Sequence, residues 1–339
     1  MKRKSRIFAI VLIALGMVMM LASLVSCGFN FKKLDENSNN NSSYDIKENI
    51  NNISIISKTA DIMILPSDTE YVKVVCEKEE NKCTHNVTVE NGTLLIEYND
   101  ERKWYEYIQV FSYEDSMVYV YLPAGEYSQL SIKSDTSDVK VASDFSFKSI
   151  DVSLDTGDTE IYASATDFVH VKASTGDVKL DGINTGDIKV NTSTGDMSFG
   201  NCNANTLSVS SDTGDVSVSS VTLSGAFNQK VTTGKTQISD MTCQSFTTNG
   251  DSGSISMTNL VASGIVSIER STGKVNLTGC DAGEFAIETS TGDVKASLLT
   301  EKIFIIRTNT GKINVPETLT GGKCKIVTNT GDITVNIVQ

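Results

Sequence analysis

The chain has 339 residues, enough for one or two domains with a sizeable core. Apolar residues make up 39% and charged residues 21%, with 24 Gly and 3 Pro, which excludes collagen, coiled coil and wholesale disorder. The net charge of -13 excludes binding to a phosphate backbone, and with only two His, His85 and His170, the composition disfavours multi-His metal sites and most acid-base catalysis.

The N-terminus reads as an export leader. Lys2, Arg3, Lys4 and Arg6 precede an uncharged apolar stretch over 7 to 26, the n- and h-regions of a signal peptide. Leu24-Val25-Ser26-Cys27 resembles the bacterial lipobox, which implies that Cys27 is lipidated and becomes the new N-terminus. The alternative is an uncleaved membrane helix, since about 20 apolar residues span the bilayer. Either way, the rest of the chain is expected outside the cytoplasm, anchored to the bacterial cell membrane. Beyond Cys27 there are 25 basic against 42 acidic side chains, so the exported part is strongly acidic. Residues 28 to 44 are rich in Asn and Ser and read as a flexible tether.

Residues 45 to 129 form a β-rich region of lower regularity. It opens on a coil-like segment, with Ala60 at a turn and Ile62 and Ile64 alternating after it. The segment 86 to 98 alternates around Asn91-Gly92, a hairpin signal because both residues tolerate positive φ. Further strands are expected at 71 to 76, 104 to 112 and 117 to 122. This stretch holds the densest aromatics of the chain, from Tyr98 and Trp104 to Tyr121 and Tyr127.

From 130 to 339 a Thr-Gly-Asp-like triplet recurs every 19 or 20 residues. Its Gly falls at Gly157, Gly176, Gly195, Gly214, Gly234, Gly253, Gly273, Gly292, Gly311 and Gly331, with Ser137 one step earlier. Counting from that Gly, positions -7, +2 and +4 are apolar in nearly every repeat, Phe227, Val216 and Val218 being examples, and position -5 is mostly Val or Ile. Alternation of period two on both sides of the triplet predicts a strand in, a corner, and a strand out with the same face buried. A second Gly, nine residues before the corner at Gly186, Gly225, Gly264, Gly283 and Gly322, predicts the other turn. The expected architecture is all-β, a parallel β-helix-like solenoid of two strands and two corners per coil. Ten steps of ~4.8 Å give a rod about 48 Å long.

The leader, the strand and hairpin region with Tyr121-Leu122-Pro123, and the Thr-Gly-Asp repeats together resemble a bacterial domain family of unknown function described as candidate adhesins with β-strand repeats. The resemblance covers about 50 to 339 and implies a surface β-solenoid. It brings no catalytic or binding residues with it.

The corner acids, Asp138, Asp158, Asp177, Asp196, Asp215, Asp293 and Asp332, with Asp187 nearby, invite a Ca²⁺ reading. Lys235, Lys274 and Lys312 replace the Asp at three corners, and the Gly pairs of calcium-binding nonapeptide repeats are missing, so a turn role is expected. Cys76 and Cys83 flank a loop that a disulfide would close, Cys324 falls at an inward position, and no Cys-x-x-Cys pair exists. No catalytic residue, cofactor or metal is expected. The sequence therefore reads as a non-enzymatic extracytoplasmic lipoprotein, an adhesin or surface-contact protein whose partner is a surface protein or glycan. A sensory or accessory component of an envelope-stress response is the second reading, and a polysaccharide-active enzyme the third.

Overall fold

The computed structural model describes residues 40–79, 83–101 and 116–338. The leader with Cys27, most of the expected tether and the expected strand at 104 to 112 lie outside the described residues. Residues from Asn41 onward form one compact unit.

The repeats form an all-β solenoid. On the first side of each coil, residue -7 pairs in register with its counterpart in the next coil, from Leu130 and Ile150 through Val169, Ile188, Leu207, Phe227, Phe246 and Val266 to Phe285. All of these are at most 1% exposed. Burying each such side chain contributes about 1.5 to 3 kcal/mol, which is how stacked coils overcome the ordering entropy that would unfold one alone. The second side carries the +2 and +4 ladders, such as Val216 and Val218 beside Met197 and Phe199.

The coil has a third, short side that the two-strand reading lacks. Six residues after the corner, Gly182, Asn201, Ser220, Asp240, Asn259 and Gly279 all have φ between 50° and 71°. The chain bends there, and inward packing resumes at +7 and +9, where Val221 and Leu223, Cys202 and Ala204, and Met241 and Cys243 are buried. The Gly nine residues before the corner is not a positive-φ turn. It is needed for space: a Cβ on Gly186 would lie 2.2 Å from the Asp167 carbonyl oxygen.

The N-terminal region belongs to the same stack. β1 (Asn40–Ile46), β2 (Asn52–Ile56), β3 (Asp61–Pro66), β4 (Val72–Glu79), β5 (Cys83–Glu90), β6 (Thr93–Asp100), β7 (Met117–Leu122), β8 (Glu126–Thr136) and β9 (Val139–Val141) open the fold. The segment 40 to 44, read as tether, is thus part of a strand, and β1 pairs with β4. β2 lies between β6 and β8, and β3 between β7 and β9, all parallel. The coil carrying Ala60 is therefore covered on its outer side by β6 and β7. β5 and β4 then close that end by pairing antiparallel with β6 and β7, blunting the open parallel edges. β5 and β6 form the expected hairpin, with Asn91 and Gly92 at φ 50° and 73°.

At the other end, space does not follow sequence. The last coil, Gly322–Thr330 and Ile333–Ile337, pairs with the 292 coil on one side and with Lys302–Thr310 and Ile313–Asn314 on the other. The penultimate coil is therefore outermost, and the C-terminal strand is clamped between two neighbours. Inward positions of the outermost coil are only half covered, as at Phe304, and Ile313 is 49% exposed. Among the described residues the first side holds thirteen parallel strands, twelve steps or about 58 Å.

Candidate functional site

The corners come first, because they hold the most regular polar array. All ten corner Gly have φ between 130° and 158°. A Cβ on Gly214 would sit 1.9 Å from the Gly195 carbonyl oxygen, so the coil spacing itself requires Gly there. Each corner Asp then serves the next coil. The amides of Asp138, Asp158, Asp177, Asp196, Asp215 and Lys235 donate at 2.7 to 2.8 Å to Oδ1 of Asp61, Asp138, Asp158, Asp177, Asp196 and Asp215. The same ladder runs from Asp293 to the amide of Asp332 and from Asp332 to the amide of Lys312. These carboxylates are acceptors for backbone, which accounts for the residue type without an ion. Lys312 stands on the outermost coil, where no further amide awaits an acceptor. Lys274 lies 3.7 Å from Asp293 and offsets part of the corner charge. Asp187 is separate, on the first side, accepting from the Thr206 hydroxyl at 2.6 Å. Among the described residues no group of three or more His, Cys, Asp or Glu is placed to hold a metal ion.

Within the core lies a polar cluster that the sequence reading missed. Arg270, at position -3, points inward and is 2% exposed. It reaches back two coils to the Val231 carbonyl at 2.8 Å and one coil to Thr248 Oγ1 at 3.1 Å. Its path runs over Gly250, where a Cβ would meet Arg270 Nη1 at 1.7 Å. Gln229 donates to Thr236 beside it, at 2.6 Å. Burial pushes the Arg270 guanidinium below its usual range, while Asp251 pulls it back up. The cluster fills the rod rather than opening onto a surface.

The four cysteines of the repeats offer no reactive thiolate. Burial pushes Cys202 and Cys243 up to about 11 and Cys324 to about 12, and raises Cys280 as well. Cys76 is buried in β4 and Cys83 opens β5, its sulfur 3.6 Å from Asp100. The fold brings together one pair that the sequence keeps apart, Ser57 and His85, with Oγ and Nε2 3.2 Å apart. They are 6% and 3% exposed, packed beside Tyr98, so this serine-histidine contact is closed to a substrate.

What remains accessible is the outside of the coils. Near the N-terminal end of the second side, Tyr162 and Lys140 both bond Glu160, at 3.0 Å each, and Lys179 lies over the Tyr162 ring. The hydrogen bond from Lys140, and then that from Tyr162, hold the Glu160 carboxyl below its usual range. Lys140 and Tyr162 border a shallow groove of about 530 Å³ that also takes in Asp181 and Asn201. On the first side His170 faces outward and stacks on Phe168 at 4.2 Å between ring centres. Farther along, the outward rows turn to hydroxyls and amides, with Ser217, Gln237 and Ser256 in register. Of the aromatic cluster, Tyr127 packs on Phe147 as core, and Tyr119 and Tyr121 stack on each other. Trp104, Tyr105, Tyr107, Phe111 and Tyr113 lie outside the described residues.

A narrow stack of 19- to 20-residue coils, with Gly at ten of its corners, is the pattern against which known proteins compare. The Toastrack DUF4097 family profile matches residues 50–241 and 203–339. The chain belongs to that family. Among solved structures it is similar to a candidate adhesin from Bacteroides fragilis, 14% identical over 89% of this chain and 97% of that one, with a TM-score of 0.36. A candidate lipid-binding protein from Parabacteroides distasonis is 14% identical over 88% and 97%, TM-score 0.38. A candidate cell adhesion protein from Clostridium sporogenes is 8% identical over 89% and 100%, TM-score 0.22. No curated protein sequence matches.

Proposed function

We propose that this Toastrack chain is a non-enzymatic, membrane-anchored extracytoplasmic rod that makes surface contacts. The observation carrying this reading is where the polar groups are spent. Corner carboxylates accept neighbouring amides, the buried guanidinium bonds a carbonyl and hydroxyls, the four repeat thiols are held neutral, and the serine-histidine contact is sealed. These polar groups serve the stack, and the exposed material is long, repetitive coil sides suited to contact over an extended face. The acidic balance of the exported chain fits a partner that is not itself strongly anionic. Anchorage is attributed to Cys27.

The test is cell fractionation with external labelling of cells making the wild type or Cys27→Ser. The wild-type chain should be in the membrane fraction, labelled from outside and processed in a globomycin-sensitive way, whereas Cys27→Ser accumulates as precursor. Crosslinking on labelled cells should capture a protein or glycan. An unlabelled cytoplasmic chain, or turnover of an acidic-glycan panel by the purified protein, defeats the proposal.

A further inference from the structure

The outermost C-terminal coil ends the stack with an unusual edge. Strand Lys302–Thr310 is bonded to Gly322–Thr330 on one side, and no described strand pairs with its other side. Its outward row reads Glu301, Ile303, Ile305 and Arg307, and the two Ile are 47% and 50% exposed. Between them, Phe304 and Ile306 face the half-open end of the core. Such an edge is a template for another strand: it carries no proline, and its one inward charge, on Lys302, is spent on an ion pair within the coil stack. Lys302, the cation nearest the core, is 3% exposed and engaged with Asp281 at 2.7 Å. The second side of the same coil is protected, since Ile313–Asn314 is two residues long and Pro316 follows it.

We infer that this edge pairs with the same edge of a second copy, tip to tip, through antiparallel Lys302–Thr310 strands centred on Phe304. The charge pattern selects that partner. About a twofold axis through Phe304, Ile303 faces Ile305 of the other copy, and Glu301 faces its Arg307, so both ends of the outward row meet an opposite charge. Glu301 accepts a hydrogen bond from the Thr320 hydroxyl, which orients the carboxylate and leaves its charge to be matched. A twofold axis normal to the sheet reverses strand direction, giving an isologous contact that closes at two copies and cannot grow into a fibre. The rest of the rod is less suited to self-pairing because it is acidic. Residues 301 to 338 carry five basic against three acidic side chains, whereas 45 to 300 carry 18 against 37. Pairing at the tip therefore keeps the two like-charged shafts apart.

β1, where the described chain begins, is at the opposite end of the stack. A tip-to-tip pair thus places two copies of β1 at the far ends of a doubled rod. On the reading of a membrane-anchored chain, such a pair is a homophilic contact between two envelopes; that consequence rests on the anchor, and the pairing itself does not.

Sedimentation velocity of the full-length chain in a mild detergent tests the pairing. The wild type should dimerise reversibly. Glu301→Arg alone, or Arg307→Glu alone, sets like charges opposite each other twice per dimer and should weaken association by about 10-fold or more. The double variant should recover dimerisation, and so should an equimolar mixture of the two single variants, because a doubly basic edge then meets a doubly acidic one. Ile305→Lys should remain folded, with an unchanged circular dichroism melt, and be monomeric. A wild type that is monomeric at every concentration hands the edge to a foreign strand or a lipid surface and overturns the proposal. So does a dimer unaffected by Ile305→Lys, or single and double charge variants that behave alike. Failure of dimerisation leaves the Cys27 fractionation result untouched, so the two readings fail separately.

Discussion

Replacing Gly214 by Ala adds one carbon atom at a place where the neighbouring coil leaves no room. The new Cβ would lie 1.9 Å from the Gly195 carbonyl oxygen, while real Cβ contacts essentially never fall below 3.0 Å, so the two coils must separate locally by at least the 1.1 Å difference. No rotamer relieves this, because both atoms are fixed by backbone. The bonds that cross the same junction are Gly195 N–H to the Thr213 carbonyl at 3.0 Å, Met197 N–H to the Asp215 carbonyl at 2.9 Å, and Asp215 N–H to Asp196 Oδ1 at 2.7 Å. Opening the gap removes all three from bonding distance. Net values of about 0.5 to 1.5 kcal/mol each, with about 1 to 3 kcal/mol of backbone strain at φ 154°, give a loss of about 2.5 to 7.5 kcal/mol. That is a large part of a domain's stability. Denaturant midpoints of Gly214→Ala should be compared with two controls. Val216→Ser, at an inward site 1% exposed, should cost about 2 to 3 kcal/mol, and outward Ser217→Val almost nothing. A Gly214→Ala protein within 1 kcal/mol of wild type, or equal effects at 216 and 217, would refute the close-packed corner.

Four further outcomes follow from the same geometry. Asp196→Ala removes a charged acceptor from the Asp215 amide and should cost about 0.5 to 1.5 kcal/mol. Thermal melts of the wild type in EDTA and in millimolar Ca²⁺ should coincide, and a Ca²⁺-dependent rise would make the corners a metal site after all. Arg270→Met replaces a buried cation, hydrogen-bonded to a carbonyl and hydroxyls and only distantly balanced by Asp251, by an apolar chain of similar length, so stability should hold or rise; a loss above about 3 kcal/mol would show that the guanidinium is needed. At Asp281 burial raises the carboxyl, but hydrogen bonds from Lys302 and Thr300 outweigh it and leave the group below its usual range. A depressed carboxyl stabilises the fold above its unfolded pKa of about 3.9 and loses that contribution as pH falls through the lower folded value. Denaturation from pH 6 down to about 2 should therefore narrow the gap between wild type and Asp281→Asn, and a gap independent of pH would contradict the pairing.

Much of the fold was legible in the sequence because it is written locally. Period-two alternation places Val216 inward and Ser217 outward without knowledge of the partner strand, and the 19- to 20-residue spacing of Gly marks where each coil turns. The third side escaped notice because its bend residues differ from coil to coil. Gly182, Asn201, Ser220 and Asp240 share a backbone conformation but no side chain. The Arg270 cluster was hidden for a related reason. A charge at an inward position makes sense only beside a Gly one coil earlier, and Gly250 is 20 residues away.

The sequence alone therefore determined the repeat period, the placing of the corners and the inward and outward positions of the strands, since each depends on a backbone conformation and on neighbours within a few residues. Only the tertiary structure decided the order of coils at the two ends. One Val, Ile and Phe ladder stacks on another nearly as well in several arrangements, and the choice rests on contacts between distant residues. Asp332 accepting from Lys312 and donating to Asp293 places the C-terminal coil inside the penultimate one. By that placement Ile303 and Ile305, ordinary outward residues in the repeat, become the edge of the rod.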